Sequence, residues 1–588
     1  MTGLGTAFVS DGDQARAFLA HRPEVDHLIA LAPIARAALD AAGVSATASD
    51  KIYSDCAHAR VAARARRARR SCAELFSRHR MDASAAEMLM ILTMEVSPAA
   101  GATWELLRAT QGPWCIYDGT NWRRIGDRRA AHEALMDVLL RQFLGRPKTR
   151  YTYPTTPLAW LARAVFSAAT LCASSRGIVV LHEVRRGLED LVESIETNQR
   201  VDVLTIGFSP KSWRAFATNA LKLVLGSRGG MRLLPPLWTD PGTRNAVNRA
   251  LTAYNDDAVI ARGLKVFGDL IAESCAQTAA LAADLAPAFR RLRVRSLVVW
   301  DMGNVKTVAY SHAARRAGTR VFVAGHAAVA IPNQPLAQVA AESRAVMTTG
   351  GNAVDVAIVQ SPTFAAAVSQ IAPQLPQLKA LPFLWRDAPQ RIPTPAAEPA
   401  LFLWAGNFAR WSKHRPWADE TPDETLLALI RLAEAVIATP SIRLEARIKP
   451  NWRIKGDIDA AALDRYVPKH ERIVITAEGS FVDSLGRATA IVTHSSTAFE
   501  EALRARLPVI LWGARGRTNV LPGRAEPPNG NSRAAIYTPP WHPDLGPFLS
   551  AVANAHRNQP LTDAEVDSLI WNEGAADVMK LGRVLANS

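Results

Sequence analysis

Cysteine is scarce and scattered in this chain of 588 residues: the five, Cys56, Cys72, Cys115, Cys172 and Cys275, form no Cys-x-x-Cys pair. A disulfide framework and a cysteine-based zinc site therefore lack their residues, and a reducing compartment is the expected setting. No basic stretch followed by an apolar run stands behind Met1, where Ser10, Asp11 and Asp13 are found instead, so no secretory leader is expected. The best stretch for a membrane span, Leu158 to Ser174, is interrupted by Arg163 and falls short of the roughly 20 apolar residues a spanning helix needs, which points to a buried or interfacial helix. HExxH, GxSxG and the GxxxxGK phosphate loop are all missing, which removes the main supports of metalloprotease, serine-hydrolase and P-loop readings. No metal site and no redox cofactor are expected.

What is present is a globular composition, 48% hydrophobic and 21% charged, in a chain too long for one core. Lys and Arg number 69 against 54 Asp and Glu, a net charge of +15 that favours polyanionic partners. Part of that excess is concentrated in Arg60, Arg64, Arg66, Arg67, Arg69, Arg70, Arg78 and Arg80, on an alanine-rich segment of good helix propensity. Such a run fits a solvated helix face or an anionic membrane or acceptor surface. Nucleic acid is not an expected partner, because no helix-turn-helix, zinc-finger or RNP-type motif is present to read bases.

Strand-like and helix-like runs alternate along the chain. Leu28 to Leu31 precedes a helical Pro33 to Ala42, and Ile178 to Leu181 and Val201 to Ile206 flank a helical segment. Ser296 to Trp300, a helix-like Val305 to Ala317 and Arg320 to Ala324 form a clear βαβ unit. Prolines crowd the stretch from Pro373 to Pro399, where an interdomain linker is expected. The rhythm then restarts with Leu401 to Trp404, Ile442 to Ile448, Ile473 to Thr476, Ala490 to Thr493 and Pro508 to Trp512. Alternation of this kind predicts mainly parallel sheets covered by helices on both faces, with ligands outside the carboxyl ends of the strands.

The residues just after each strand are therefore the informative ones. His494, Ser495, Ser496 and Thr497 follow Ala490 to Thr493 and open a helix carrying Glu500 and Glu501; hydroxyls and free N–H groups there suit a phosphate, and Thr497 with Glu500 equally fits a capping box. Lys449, Pro450 and Asn451 follow Ile442 to Ile448, where a lysine can meet a phosphate or simply be solvated. His326, behind Gly325, can take a proton from an acceptor hydroxyl or serve as a structural hydrogen bonder. Asp301 and Asn304 follow Ser296 to Trp300 and fit a cleft lining or a plain turn with an N-cap, and Glu478 is placed for nucleoside contact or in a solvated loop.

Taken in order, Gly325-His326, Lys449-Pro450-Asn451, His494-Ser495-Ser496-Thr497 with Glu500-Glu501, and Leu507-Pro508-Val509 resemble bacterial GT-B enzymes of surface-polysaccharide assembly, the capsule sialyl- and Kdo-transferases and teichoic-acid glycerophosphotransferases. In those families a His-Gly, a Lys-x-His-Pro and a Ser-Ser surround a cytidine-nucleotide donor. Here Ala327 stands in place of the glycine and Pro450-Asn451 where the histidine is expected.

The resemblance implies an α/β, GT-B-like fold with two Rossmann-type parallel-sheet domains facing a cleft and an additional N-terminal α/β region. The expected divisions are residues 1–148, an N-lobe at 149–385 and a donor-binding C-lobe at 386–588. It implies a glycosyltransferase moving a Kdo- or nonulosonate-type sugar from a CMP-linked donor to a glycan, lipid-linked glycan or glycoprotein acceptor. His326 would be the base; Lys449, Asn451, Glu478, His494, Ser495, Ser496, Thr497 and Glu500 would bind the donor; Asp301 and Asn304 would line the acceptor side. The expected setting is cytoplasmic, peripheral at the inner membrane face. A CDP-alditol phosphotransferase, a UDP-sugar GT-B enzyme and a non-catalytic polyanion-binding scaffold on the same fold are the alternatives.

Overall fold

The computed structural model describes residues 4–79, 81–144, 156–172, 177–182, 189–199, 201–206, 221, 232–233, 239–300, 303–324, 353–379, 391–393, 395, 397–406, 420–448, 460–494, 496, 498–529, 532–542, 544–571 and 576–588. Its strands form three sheets. The first holds β1 (Thr6–Val9), β2 (His27–Ala30), β3 (Thr47–Ala48), β4 (Trp114–Tyr117) and β5 (Trp122–Ile125), in the order β3-β2-β1-β4-β5. All its pairs are parallel except β4 with β5, which are antiparallel.

The second holds β6 (Ile178–His182), β7 (Asp202–Ile206), β8 (Arg232–Leu233), β9 (Val294–Val299), β10 (Arg320–Ala324), β11 (Val356–Val359) and β12 (Gln377–Lys379), ordered β12-β11-β10-β9-β6-β7-β8 and wholly parallel. The third, also wholly parallel, runs β15-β14-β13-β16-β17-β18, from β13 (Ala400–Ala405), β14 (Ile442–Arg447), β15 (Ile473–Thr476), β16 (Ala490–Thr493), β17 (Val509–Leu511) and β18 (Ile536–Tyr537). Each sheet grows outward from its first strand, then restarts on that strand's other side. This is the Rossmann order, with switch points at β1/β4, β6/β9 and β13/β16. The middle and carboxyl-terminal sheets are the two domains of a GT-B-like α/β architecture, and the amino-terminal sheet is an additional α/β region.

Period-two alternation in buried strands explains how each sheet holds two cores. In β13, Ala400, Phe402 and Trp404 pack with Leu426, Leu429, Leu432 and Val436 of the helix Pro422–Ala438, whereas Leu403 and Ala405 turn to Ile491, Phe499 and Leu503 on the other face. Pro422 sits in that helix's first turn, where its missing N–H costs nothing. Thr421 and Glu424 close a capping box: Glu424 N–H donates to Thr421 Oγ1 at 3.2 Å and Thr421 N–H to Glu424 Oε2 at 2.9 Å.

The proline-rich stretch expected to be linker throughout contributes β12 at the sheet edge, paired with β11. An edge strand tolerates neighbouring prolines because one side of its ladder is unpaired; indeed Pro376 offers its carbonyl to Ala357 N–H at 2.9 Å. Two arginines of the basic helix Asp55–Arg78 pair with acids of other helices, the exposed Arg60 with Glu105 at 2.6 Å and the half-buried Arg64 with Asp257 at 2.9 Å; Arg67, Arg70 and Arg78 are exposed. That helix and Ala83–Ala109 share one core with Gly268–Arg291 and the middle sheet, through Val61, Leu89, Leu106, Leu281, Phe289 and Leu297. The run from Leu158 forms the helix Thr156–Cys172, and among the described residues no helix is long and apolar enough to cross a membrane.

The final helix, Ala576–Ala586, does not stay with the third sheet. It packs on the middle one, where Leu581 and Leu585 join Val298, Trp300 and Phe322 in a core. Ser296 donates its hydroxyl to Leu585 O at 2.8 Å, and Arg295 Nη1 donates to Ala586 O at 2.6 Å. Truncating Leu585, which is fully buried, to alanine is expected to lower the stability of the middle unit by about 2–4 kcal/mol. Urea unfolding followed by middle-sheet hydrogen exchange reads the loss.

Candidate functional site

The switch point of the third sheet is built by register. Trp404 pairs with Val492, so the next residues, Ala405 and Thr493, are level, and Thr493 Oγ1 donates to Ala405 O at 2.7 Å. Gly406 and His494 then leave the sheet side by side, where two neighbouring strands send their chains to opposite faces. Trp512 N–H donates to Thr493 O at 2.9 Å and so brings Gly513 beside His494. Neither glycine has room for a side chain. A Cβ on Gly406 would stand 1.8 Å from the Trp404 ring, and one on Gly513 would stand 2.6 Å from His494 Cβ and 2.8 Å from Glu420 Oε1.

Glu420, just ahead of the capping box, accepts the Ala514 N–H at 2.7 Å. Burial raises its carboxyl above the usual range, against the pull of His494 beside it. His494 is thus enclosed by Glu420, Gly513 and the end of β16, and is itself buried. Ser496 accepts the Ala498 N–H at 3.3 Å at the start of the short helix Ala498–Arg504, on which Glu500 is buried within Coulombic reach of Arg504. Glu478 is exposed; Arg447 donates to its carbonyl, and to Gly479 O at 2.6 Å, so the guanidinium at the end of β14 holds this loop by its backbone. Asn304, on the middle sheet, caps the helix Val305–Arg316, accepting from Lys306 N and Thr307 N at 3.1 Å each. His326, Asp301, Lys449, Asn451, Ser495 and Thr497 lie outside the described residues. Among the described residues, no group of three or more His, Cys, Asp or Glu is placed to hold a metal ion.

Sequence reasoning missed a second layer behind His494. The turn after Gly513 runs through three consecutive left-handed residues, Ala514 at φ 47°, Arg515 at φ 50° and Gly516 at φ 71°. Only the glycine adopts that region freely, and each of the other two costs on the order of 1–2 kcal/mol. The turn is held by charge. Arg517 makes a bidentate pair with Glu424, 2.8 Å on each oxygen, and Arg515 reaches Asp50 of the amino-terminal unit at 2.6 Å and Glu424 at 3.4 Å. Arg36 of the same unit meets Asp423 at 3.0 Å, with the Ser49 hydroxyl on its other oxygen at 3.4 Å. His58 is pushed down to about 3 by burial and by Arg517, so its 3.8 Å approach to Glu424 is a contact of a neutral ring and not an ion pair.

The buried carboxyls Asp50, Asp423 and Glu424 thus face three guanidiniums, those of Arg36, Arg515 and Arg517. Asp423 is nonetheless raised to about 7, by burial first and by Asp50, with Arg36 opposing.

No protein-family model matches the chain, and no curated protein does. Among solved structures, MnaA of S. aureus with UDP is similar over 71% of this chain and 98% of its own, at 10% identity and a TM-score of 0.38. The UDP-GlcNAc 2-epimerase of Methanocaldococcus jannaschii is similar over 70% and 100%, at 12% identity and 0.38. The wall teichoic acid polymerase TagF is similar over 78% and 96%, at 8% identity and 0.34. At these scores the likeness adds nothing to what the strand order already shows.

Asp423 gives the interface a pH dependence of definite sign. Because its folded value lies above the ordinary 3.8, its contribution to stability is complete below about 4 and is lost as pH rises through about 7. Asp423→Asn cannot lose a proton, so the variant is expected to gain on the unaltered chain by about 2 kcal/mol between pH 5 and pH 8. The difference between their urea midpoints at the two pH values is the measurement.

Proposed function

We propose that the chain is a sugar-nucleotide-using enzyme whose donor binds at the switch point of the carboxyl-terminal sheet. The observation that carries the reading is the seat of His494: buried at the carboxyl end of β16, beside Glu420 and Gly513, next to the switch point β13/β16 where a Rossmann order is expected to leave room for a ligand. The short motifs around it supply the finer reading. The hydroxyl-bearing residues after β16, with Lys449 and Asn451 after β14, suit the phosphate of a CMP-linked Kdo- or nonulosonate-type sugar, and His326 suits deprotonation of an acceptor hydroxyl. No metal or redox cofactor enters this reading; electrostatic stabilisation of the departing nucleotide by fixed protein donors takes that part.

The acceptor is proposed to be a glycan, lipid-linked glycan or glycoprotein. The exposed Arg67, Arg70 and Arg78 favour an anionic membrane face as the place where it is met, from the cytoplasmic side.

Titration calorimetry of the full chain with CMP, CDP and UDP tests the donor class. CMP is expected to bind tightest, and Ser496→Ala and His494→Gln are expected to weaken it tenfold or more with the unfolding midpoint little changed. Tightest binding of UDP or CDP would replace the donor, and binding of none would remove the proposal. Release of CMP from a CMP-linked acidic sugar, lost on His326→Ala, is the expected signature of transfer.

A further inference from the structure

The turn Gly513–Arg517 touches two things at once. On one side Gly513 leaves no space against His494 and Glu420, and the Ala514 N–H is bonded to the same Glu420. On the other, Arg515 is bonded to Asp50 and Arg517 lies 3.2 Å from Asp55, both acids of the amino-terminal unit. Between the two ends the backbone holds a left-handed conformation that residues with side chains rarely adopt. A turn in such a conformation persists only while its surroundings over-determine it. Here the restraints are Glu420, Glu424 and the two acids of the amino-terminal unit, Asp50 and Asp55.

A displacement of the turn is carried by the Ala514 N–H bond to Glu420, whose carboxyl lies within Coulombic reach of His494, and Gly513 is close enough to both that no Cβ fits there. We propose that Glu420 and Arg515 are positioning residues for His494, so that docking of the amino-terminal unit through Asp50 completes the nucleotide site of the carboxyl-terminal sheet. The proposal rests on the reading of His494 as a donor-site residue. It also gives the amino-terminal α/β unit a role, that of holding the far side of the turn that shapes the crevice.

A merely structural tie between two units would affect stability and leave the imidazole's surroundings alone, so the test reads the imidazole directly. In the full chain labelled with 13C-histidine, the His494 ring resonance is identified by its loss in His494→Gln. Asp50→Asn and Arg515→Ala are expected to shift that resonance without ligand and to weaken CMP binding about tenfold in calorimetry. Arg515→Lys, which keeps a cation within reach of Asp50, is expected to recover most of both. Arg515→Gly removes the backbone penalty together with the ion pair. It is expected to match Arg515→Ala, and it serves if the alanine variant does not fold.

A His494 resonance unmoved in both Asp50→Asn and Arg515→Gly overturns the proposal, even where CMP binds the unaltered chain. A resonance that moves in a chain that binds no cytidine nucleotide supports the positioning and overturns the donor reading alone.

Discussion

One buried carboxylate organises the carboxyl-terminal half of this protein. Glu424 lies at the start of a helix, caps that helix through Thr421, and receives two guanidiniums from the turn after β17. Leaving such a charge buried without its partners would cost several kcal/mol, more than a small domain can lose lightly. The helix start, the left-handed turn and the arginines are consequently one unit that forms together. Since Arg515 also engages Asp50, the amino-terminal sheet belongs to the same arrangement, although 465 positions of sequence separate the two groups.

The parallel sheets decide where that arrangement lies. In a Rossmann order every strand delivers its following residue to one edge, and only at the switch point do two neighbours diverge and leave a gap. Gly406 and His494 reach the switch point, and Gly513 the next strand end beside it, by register and not by proximity in sequence. The two glycines serve it by having no side chain, because the Trp404 ring and the His494 imidazole fill the volume any Cβ would need.

Much of this is legible in the residues. The apolar runs around Val298, Val323, Phe402 and Val492 announce buried strands, and His494 is legible as the residue that follows one of them. The short strands Thr6–Val9 and Val356–Val359 escape such a reading. The charged layer escapes it too, although two signals are present. Glu420, Asp423 and Glu424 stand together around a Thr-Pro helix start, and Arg515 and Arg517 follow the strand that ends at Trp512. Their partners, Arg36 and Asp50, come from a different sheet, and no local pattern in one sequence pairs segments so far apart. Asn304 shows the reverse case: a residue placed correctly at a strand end whose side chain spends its oxygen on capping a helix.

The return of the last helix to the middle sheet has a consequence for how the chain reaches this state. Val298 and Trp300 are covered by Leu581 and Leu585, nearly three hundred positions later. During synthesis the part of that face which Leu191 and Ile195 do not cover therefore stays open until the carboxyl-terminal lobe has emerged. Closing so long a loop is slow, and the exposed face meanwhile is sticky. The two lobes are consequently bound in time as well as in space: the earlier one is finished only by the final turns of the later.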